Sequence, residues 1–145
     1  MTEVRETAAR FMKAFNAHDE DAMRGLTHPN ATFSAPGDVH LRGVEATGYA
    51  MQWLTACPDG KLTVRNQLIS GPWVVEEVTF EGTHRGPLAS AVVGRVPATG
   101  KRIAIKAVLI TRFESDLALE ARICFDQVDV LTQLGVMPAL AAAAV

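Results

Sequence analysis

The hydrophobic period of this chain changes once, at Lys61. Before it, apolar residues recur at helical spacing; after it, they alternate. Residues 3–17 place Val4, Ala8, Phe11, Met12 and Phe15 on one stripe and charges on the other face, an amphipathic helix. Asp19 is a candidate N-cap for a short second helix ending near Leu26. Residues 27–43 are dense in Pro, Gly, Asn and Ser and read as a loop with one short strand at 31–34. A third helix covers 43–57, with Val44, Thr47, Met51 and Leu54 inward. From Lys61 on, KLTVRNQLI, VVEEVTFEGTH, KRIAIKAVLITRF and LALEARICF read as strands. A final helix runs from Asp126 to Gly135, and the Ala-rich end at 139–145 reads as a frayed tail beyond a single domain at 1–138. Helices followed by an antiparallel meander predict an α+β domain with helices packed on one curved sheet.

Strand parity then selects candidate site residues. In the longest strand Ile103, Ile105, Ala107, Leu109, Thr111 and Phe113 share the inward face, and Leu119, Ala121, Ile123 and Phe125 match them in the last strand. The hairpin between these strands sets Phe125 opposite Ile105. In the strand after Trp73, the parity of Val74, Val78 and Phe80 also takes in Glu76 and His84. An unpaired charge buried there would cost several kcal/mol, so each needs a partner or a wet cavity. Along a straight strand the two stand roughly 26 Å apart. His84 and Asp126 are expected at one end of the sheet and Glu76 toward the other.

Composition excludes several classes of function. The 145 residues are 48% hydrophobic and 21% charged, with a net charge of −2 and no basic block. Nucleic acid and anionic membrane are not expected partners. No run reaches membrane-spanning length, and MTEVRETAARF lacks the apolar segment of a secretory signal. Cys57 and Cys124 stand in no metal-binding or redox spacing. A cytoplasmic protein with reduced thiols is the expectation.

The order of elements, together with FMKAFNAHD, GTHRGPL, VPATGKRI and LTQLGVMP, resembles the SnoaL-like polyketide cyclases and ester cyclases. These belong to the superfamily of nuclear transport factor two and ketosteroid isomerase. HPNATFSAP and GPWV add to the resemblance, which covers nearly the whole chain. It implies a cone: a curved antiparallel or mixed sheet around an apolar pocket, covered by three N-terminal helices, with a short C-terminal helix. It also implies a homodimer formed through the sheet, an apolar polyketide-like ligand, and acid/base ring closure or isomerisation without metal or organic cofactor. Aligned back from QLG, the cyclase aspartate falls on Ile123 and the cyclase histidine on Leu109. Asp126 is the nearest carboxylate.

The candidate catalytic residues are therefore Asp126, His84 and Glu76. Each has a second reading. Asp126 is also placed to cap the last helix. His84 also suits a structural bond in its Gly-flanked turn. Glu76 also suits a pair with an arginine, or an outward face if parity switches at Glu76–Glu77. Phe15, Tyr49, Trp53, Leu109 and Ile123 are the candidate substrate-binding residues on the pocket wall. His28 and His40 read as solvated loop residues, Lys106 as an outward cation, and Trp73 as part of a dimer surface. No metal site is expected. Two other functions stay open: a ligand-binding or dimerisation module without chemistry, and an epoxide hydrolase, which needs more than Arg122 and Asp126.

Overall fold

The change of period at Lys61 is where the N-terminal helices end and the long strands of the sheet begin. The structure, a computed structural model, describes residues 2–137; the tail at 139–145 lies outside them. Helix α1 spans Thr2–Asn16, α2 Glu20–Gly25 and α3 Glu45–Ala56. The α1 stripe buries Ala8, Met12 and Phe15. Asn16 ends α1 by pairing its carboxamide with the backbone of Leu62, at 2.8 and 3.0 Å, which ties the helix to the first strand after Lys61. Asp19 caps α2, accepting from the Ala22 amide at 3.0 Å. Val44 is not inward: it is the α3 N-cap and is 52% exposed.

The segment read as a loop is a hairpin, β1 Thr27–Ala35 and β2 Val39–Arg42. Its Pro and Asn lie where pairing skips between Thr27 and Thr32, a place where a sheet tolerates proline. The turn uses Gly37 and Asp38, both at positive φ. Strands β3 Lys61–Ser70 and β4 Trp73–Thr83 follow. A small hairpin not anticipated from the sequence, β5 Leu88–Ser90 and β6 Gly94–Val96, comes next. Then come β7 Arg102–Glu114, β8 Leu117–Phe125 and helix α4 Gln127–Leu134. The main sheet has the order β2-β1-β8-β7-β4-β3, with β1 and β8 parallel and the other neighbours antiparallel. This is the mixed, curved sheet of a cone.

Inward parity on β4 and β7 holds along both strands. It fails at one place on β8. A bulge between Arg112 and Phe113 gives Phe113 to Ala118 and skips Leu119. Ala118, not Leu119, is therefore buried there. The two-residue turn at Ser115 and Asp116 and this bulge each move the register by one residue, so Phe125 stands opposite Ala107 rather than Ile105. A bulge adds one residue on one strand and resets the facing of what precedes it.

The segments that carried the resemblance are fasteners. Ala56 at the end of α3 accepts from the amides of Arg85 and Gly86 at 2.8 and 3.0 Å. A Cβ on Gly86 would collide with the Thr55 carbonyl, so the close approach needs glycine. In QLG, Gln133 pairs with both backbone groups of Ala104, at 2.8 and 2.9 Å. Leu134 is buried, and Gly135 ends α4 at φ 73°, the left-handed cap that glycine adopts without strain.

Candidate functional site

The concave face of the sheet, α1 and α3 enclose an apolar cavity of about 130 Å³. Phe11 and Phe15 reach it from α1, and Thr47, Tyr49 and Trp53 from α3. Leu109, Ile123 and Phe125 form part of the sheet wall. All five candidate substrate-binding residues thus meet in one place. A volume near this size accommodates a single six-membered ring. A wider cavity of about 400 Å³ lies beyond Tyr49, Trp53 and Phe125, which line both spaces. Trp53 and Phe125 meet edge to face, 5.5 Å between ring centroids.

Glu76 is the carboxylate this cavity buries. It is 4% exposed and lines the cavity. Across the strands it stands opposite Leu109, which stands opposite Ile123. The three form one row on β4, β7 and β8, about 10 Å from end to end at ordinary strand spacing. Glu76 Oε2 accepts from Gln67 Nε2 at 3.0 Å, and Gln67 Oε1 accepts from Arg5 at 3.2 Å. A guanidinium only donates, so Arg5 orients the Gln67 amide with its NH₂ toward Glu76. Arg5 therefore acts on Gln67 and does not pair with the carboxylate. Burial pushes the Glu76 carboxyl above its usual range, and the bond from Gln67 opposes that. Glu120 also lines the cavity, but it is ion-paired with Arg112 and Arg122 at 3.5 and 3.6 Å. Those arginines lie over the outward ring of Trp73.

Asp126 and His84 are not among the cavity-lining residues. Asp126 is exposed and caps α4: its Oδ1 accepts from the amides of Val128 and Asp129 at 2.8 and 3.2 Å. His84 is fully buried. Its Nδ1 accepts from the Thr99 amide at 3.1 Å and contacts the Thr99 hydroxyl at 2.9 Å. The amide bond makes Nδ1 the acceptor, so the neutral ring carries its proton on Nε2. Burial holds the imidazole below its usual range, opposed by a backbone contact with Gly86. The backbone of His84 is bracketed by Lys101 and Gly100, at 2.8 Å each. Asp126 leaves the sheet on the His84 side of Glu76, at a level between the two. Phe125 lies opposite Ala107 and Thr83 opposite Arg102, so Asp126 is closer to the level of Glu76 than to that of His84.

Sequence reasoning missed Gln67. The bulge between Val64 and Asn66 on β3 sets Gln67 beside Glu76, and no periodicity reveals a bulge. Cys57 is buried and its thiol is pushed up to about 11, by burial first and then by Asp59, which makes it a poor nucleophile. Among the described residues no group of three or more His, Cys, Asp and Glu gathers as a metal site. No described helix is long and apolar enough to cross a membrane.

Solved structures share this architecture. The hydroxylase candidate AclR from Streptomyces galilaeus is 22% identical, with TM-score 0.81 over 99% of this chain and 88% of its own. The polyketide-cyclase candidate IdmH from Streptomyces antibioticus is 28% identical, with TM-score 0.74 over 92% and 99%. An LEH-like epoxide hydrolase from M. tuberculosis is 14% identical, with TM-score 0.70 over 94% and 92%; at that identity it shows the fold alone. No curated protein matches the chain. The SnoaL-like polyketide cyclase family matches residues 6–134, and the chain belongs to that family.

Proposed function

We propose that this chain binds an apolar carbonyl compound in the cavity and moves a proton on it, with Glu76 as base and then acid. The observation that carries the proposal is a buried carboxylate facing an apolar cavity, with its proton affinity raised by burial. A carboxylate tuned upward in this way suits general acid/base work near neutral pH. Glu76 takes a proton from the carbon beside a carbonyl, and the electron pair passes to the carbonyl oxygen. In ring closure the enolate carbon bonds a second carbonyl carbon, and the new alkoxide takes the proton back from Glu76. In isomerisation the proton returns to another carbon. Neither route requires a cofactor.

The cross-strand row supports this assignment. The resemblance sets the cyclase histidine and aspartate on Leu109 and Ile123. Glu76 brings a carboxylate to the same level from β4. The wall at Leu109 and Ile123 then holds the apolar part of the substrate near its reacting geometry. On the opposite face of the sheet, Trp73, Val108 and Ile110 offer a surface for a second copy, and light scattering is expected to give the mass of two chains.

Deuterium incorporation into cyclohexanone, followed by NMR in heavy water, tests the proposal. The wild-type chain is expected to accelerate exchange beside the carbonyl. Glu76→Gln is expected to lower that rate by about 10²-fold or more. Wild-type speed in Glu76→Gln would sink the assignment. The alternative, a ligand-binding module without chemistry, is favoured by the apolar side chains at Leu109 and Ile123; it predicts binding of the ketone with no exchange.

A further inference from the structure

We infer that Thr47 is the polar anchor of the cavity, and that its hydroxyl bonds an oxygen on the ligand. This assigns the ligand class: a single ring or narrow apolar chain bearing a carbonyl or hydroxyl oxygen on the α3 side. The inference deepens the proposed function, since the ligand is the one on which Glu76 acts.

Thr47 is 3% exposed and lines the cavity, and its Oγ1 is buried without a hydrogen-bond partner. An unpaired buried hydroxyl costs stability, and valine would fill the same space without that cost. Two other helical threonines avoid it. Thr7 donates to the Glu3 carbonyl at 2.8 Å, and Thr132 donates to the Val128 carbonyl at 2.7 Å, each four residues back. For Thr47 the residue four back is Gly43, which precedes the helix and has φ 56°. Its carbonyl accepts from the Ala46 amide at 3.3 Å, and Thr47 Oγ1 makes no bond to it. Thr47 thus stands in the cavity wall with both the donor and the acceptor capacity of its buried hydroxyl unused, a group that pairs with a carbonyl or a hydroxyl equally.

The rest of the wall defines what lies beside that oxygen. Ala46, Tyr49 and Ala50 flank Thr47 on α3, and the sheet side is mainly apolar apart from Thr27, Thr32, Glu76, Thr111 and Glu120. A ligand with its oxygen on Thr47 lies with its body on the sheet and its adjacent carbon open to Glu76. Thr47 orients the ligand, and Glu76 does the chemistry.

The test compares cyclohexanone with methylenecyclohexane, a probe of the same shape without the oxygen. Dissociation constants are measured by NMR for the wild-type chain, Thr47→Val and Thr47→Ser. In Thr47→Val, ketone affinity is expected to fall about tenfold, hydrocarbon affinity to hold, and the melting temperature to hold or rise. Thr47→Ser is expected to recover most of the ketone affinity. Unchanged ketone affinity in Thr47→Val would overturn the inference, as would an equal loss for both probes or a wild-type chain that binds neither. A Thr47→Val chain that fails to fold would show the hydroxyl to be structural and overturn it too. Glu76→Gln keeps the preference for the ketone if Thr47 is the anchor, whether or not exchange is lost. A failure at Thr47 is therefore separate from a failure at Glu76.

Discussion

Glu76 within β4 and Asp126 just past the end of β8 are two carboxylates of one fold, and their surroundings give them opposite capacities. Asp126 is exposed, and its oxygen is occupied by two amides of α4. Glu76 is enclosed by apolar side chains, with one side-chain amide as its donor. The first carboxylate is engaged in holding structure. The second is destabilised as an anion and lines the cavity. The difference extends to their regions. The end of the sheet at His84, Gly86 and Gln133 carries three of the recognisable segments, GTHRGPL, VPATGKRI and LTQLGVMP, and its polar groups mostly bind backbone. The cavity takes Phe11, Phe15, Ala31, Thr32 and Phe33 from two others, but the buried acid stands on β4 outside them all.

The largest change in stability tests the fastening role of His84. His84→Ala removes a fully buried ring and leaves the Thr99 amide without its acceptor. A loss of about 2–4 kcal/mol in chemical denaturation is expected, with the exchange rate per folded molecule unchanged. A stable variant without exchange would break the comparison. Asp126→Ala is expected to cost about 1 kcal/mol through the lost cap, and Asp126→Asn only a few tenths; neither should alter exchange. Glu76→Gln sharpens the contrast through pH. A raised carboxyl pKa means the fold favours the protonated form. Its stabilising contribution is full below the ordinary glutamate value and is lost as pH rises through the folded value. Thermal melts of Glu76→Gln should therefore exceed wild type by more at about pH 8 than at about pH 4. The smallest effect is that of Gln67→Leu, which removes the donor to Glu76 and should move the acid limb of the exchange profile to higher pH.

Much of the fold was legible because the period of the sequence reports burial directly. The α1 stripe and the inward sets of β4 and β7 follow from it. The β1–β2 hairpin was hidden because its prolines and its one asparagine favour loops locally, while pairing with β8 holds it as a sheet. The bulges in β3 and β8 were invisible to any fixed period. Glu76 was legible as a charge on a core parity. Its control by Gln67 and Arg5, and the orphaned hydroxyl of Thr47, depend on contacts between distant segments. Asp126 was ambiguous in sequence because a cap and an acid are the same residue type, and geometry separates them.

The central claim concerns the protonation of one side chain. A carbon-detected NMR titration of the Glu76 carboxyl, in free protein and with cyclohexanone bound, tests it most directly. The midpoint is expected above the ordinary glutamate value, rising further when the ligand displaces water from the cavity. A midpoint at or below the ordinary value, unmoved by the ligand, would contradict a buried acid poised on the substrate.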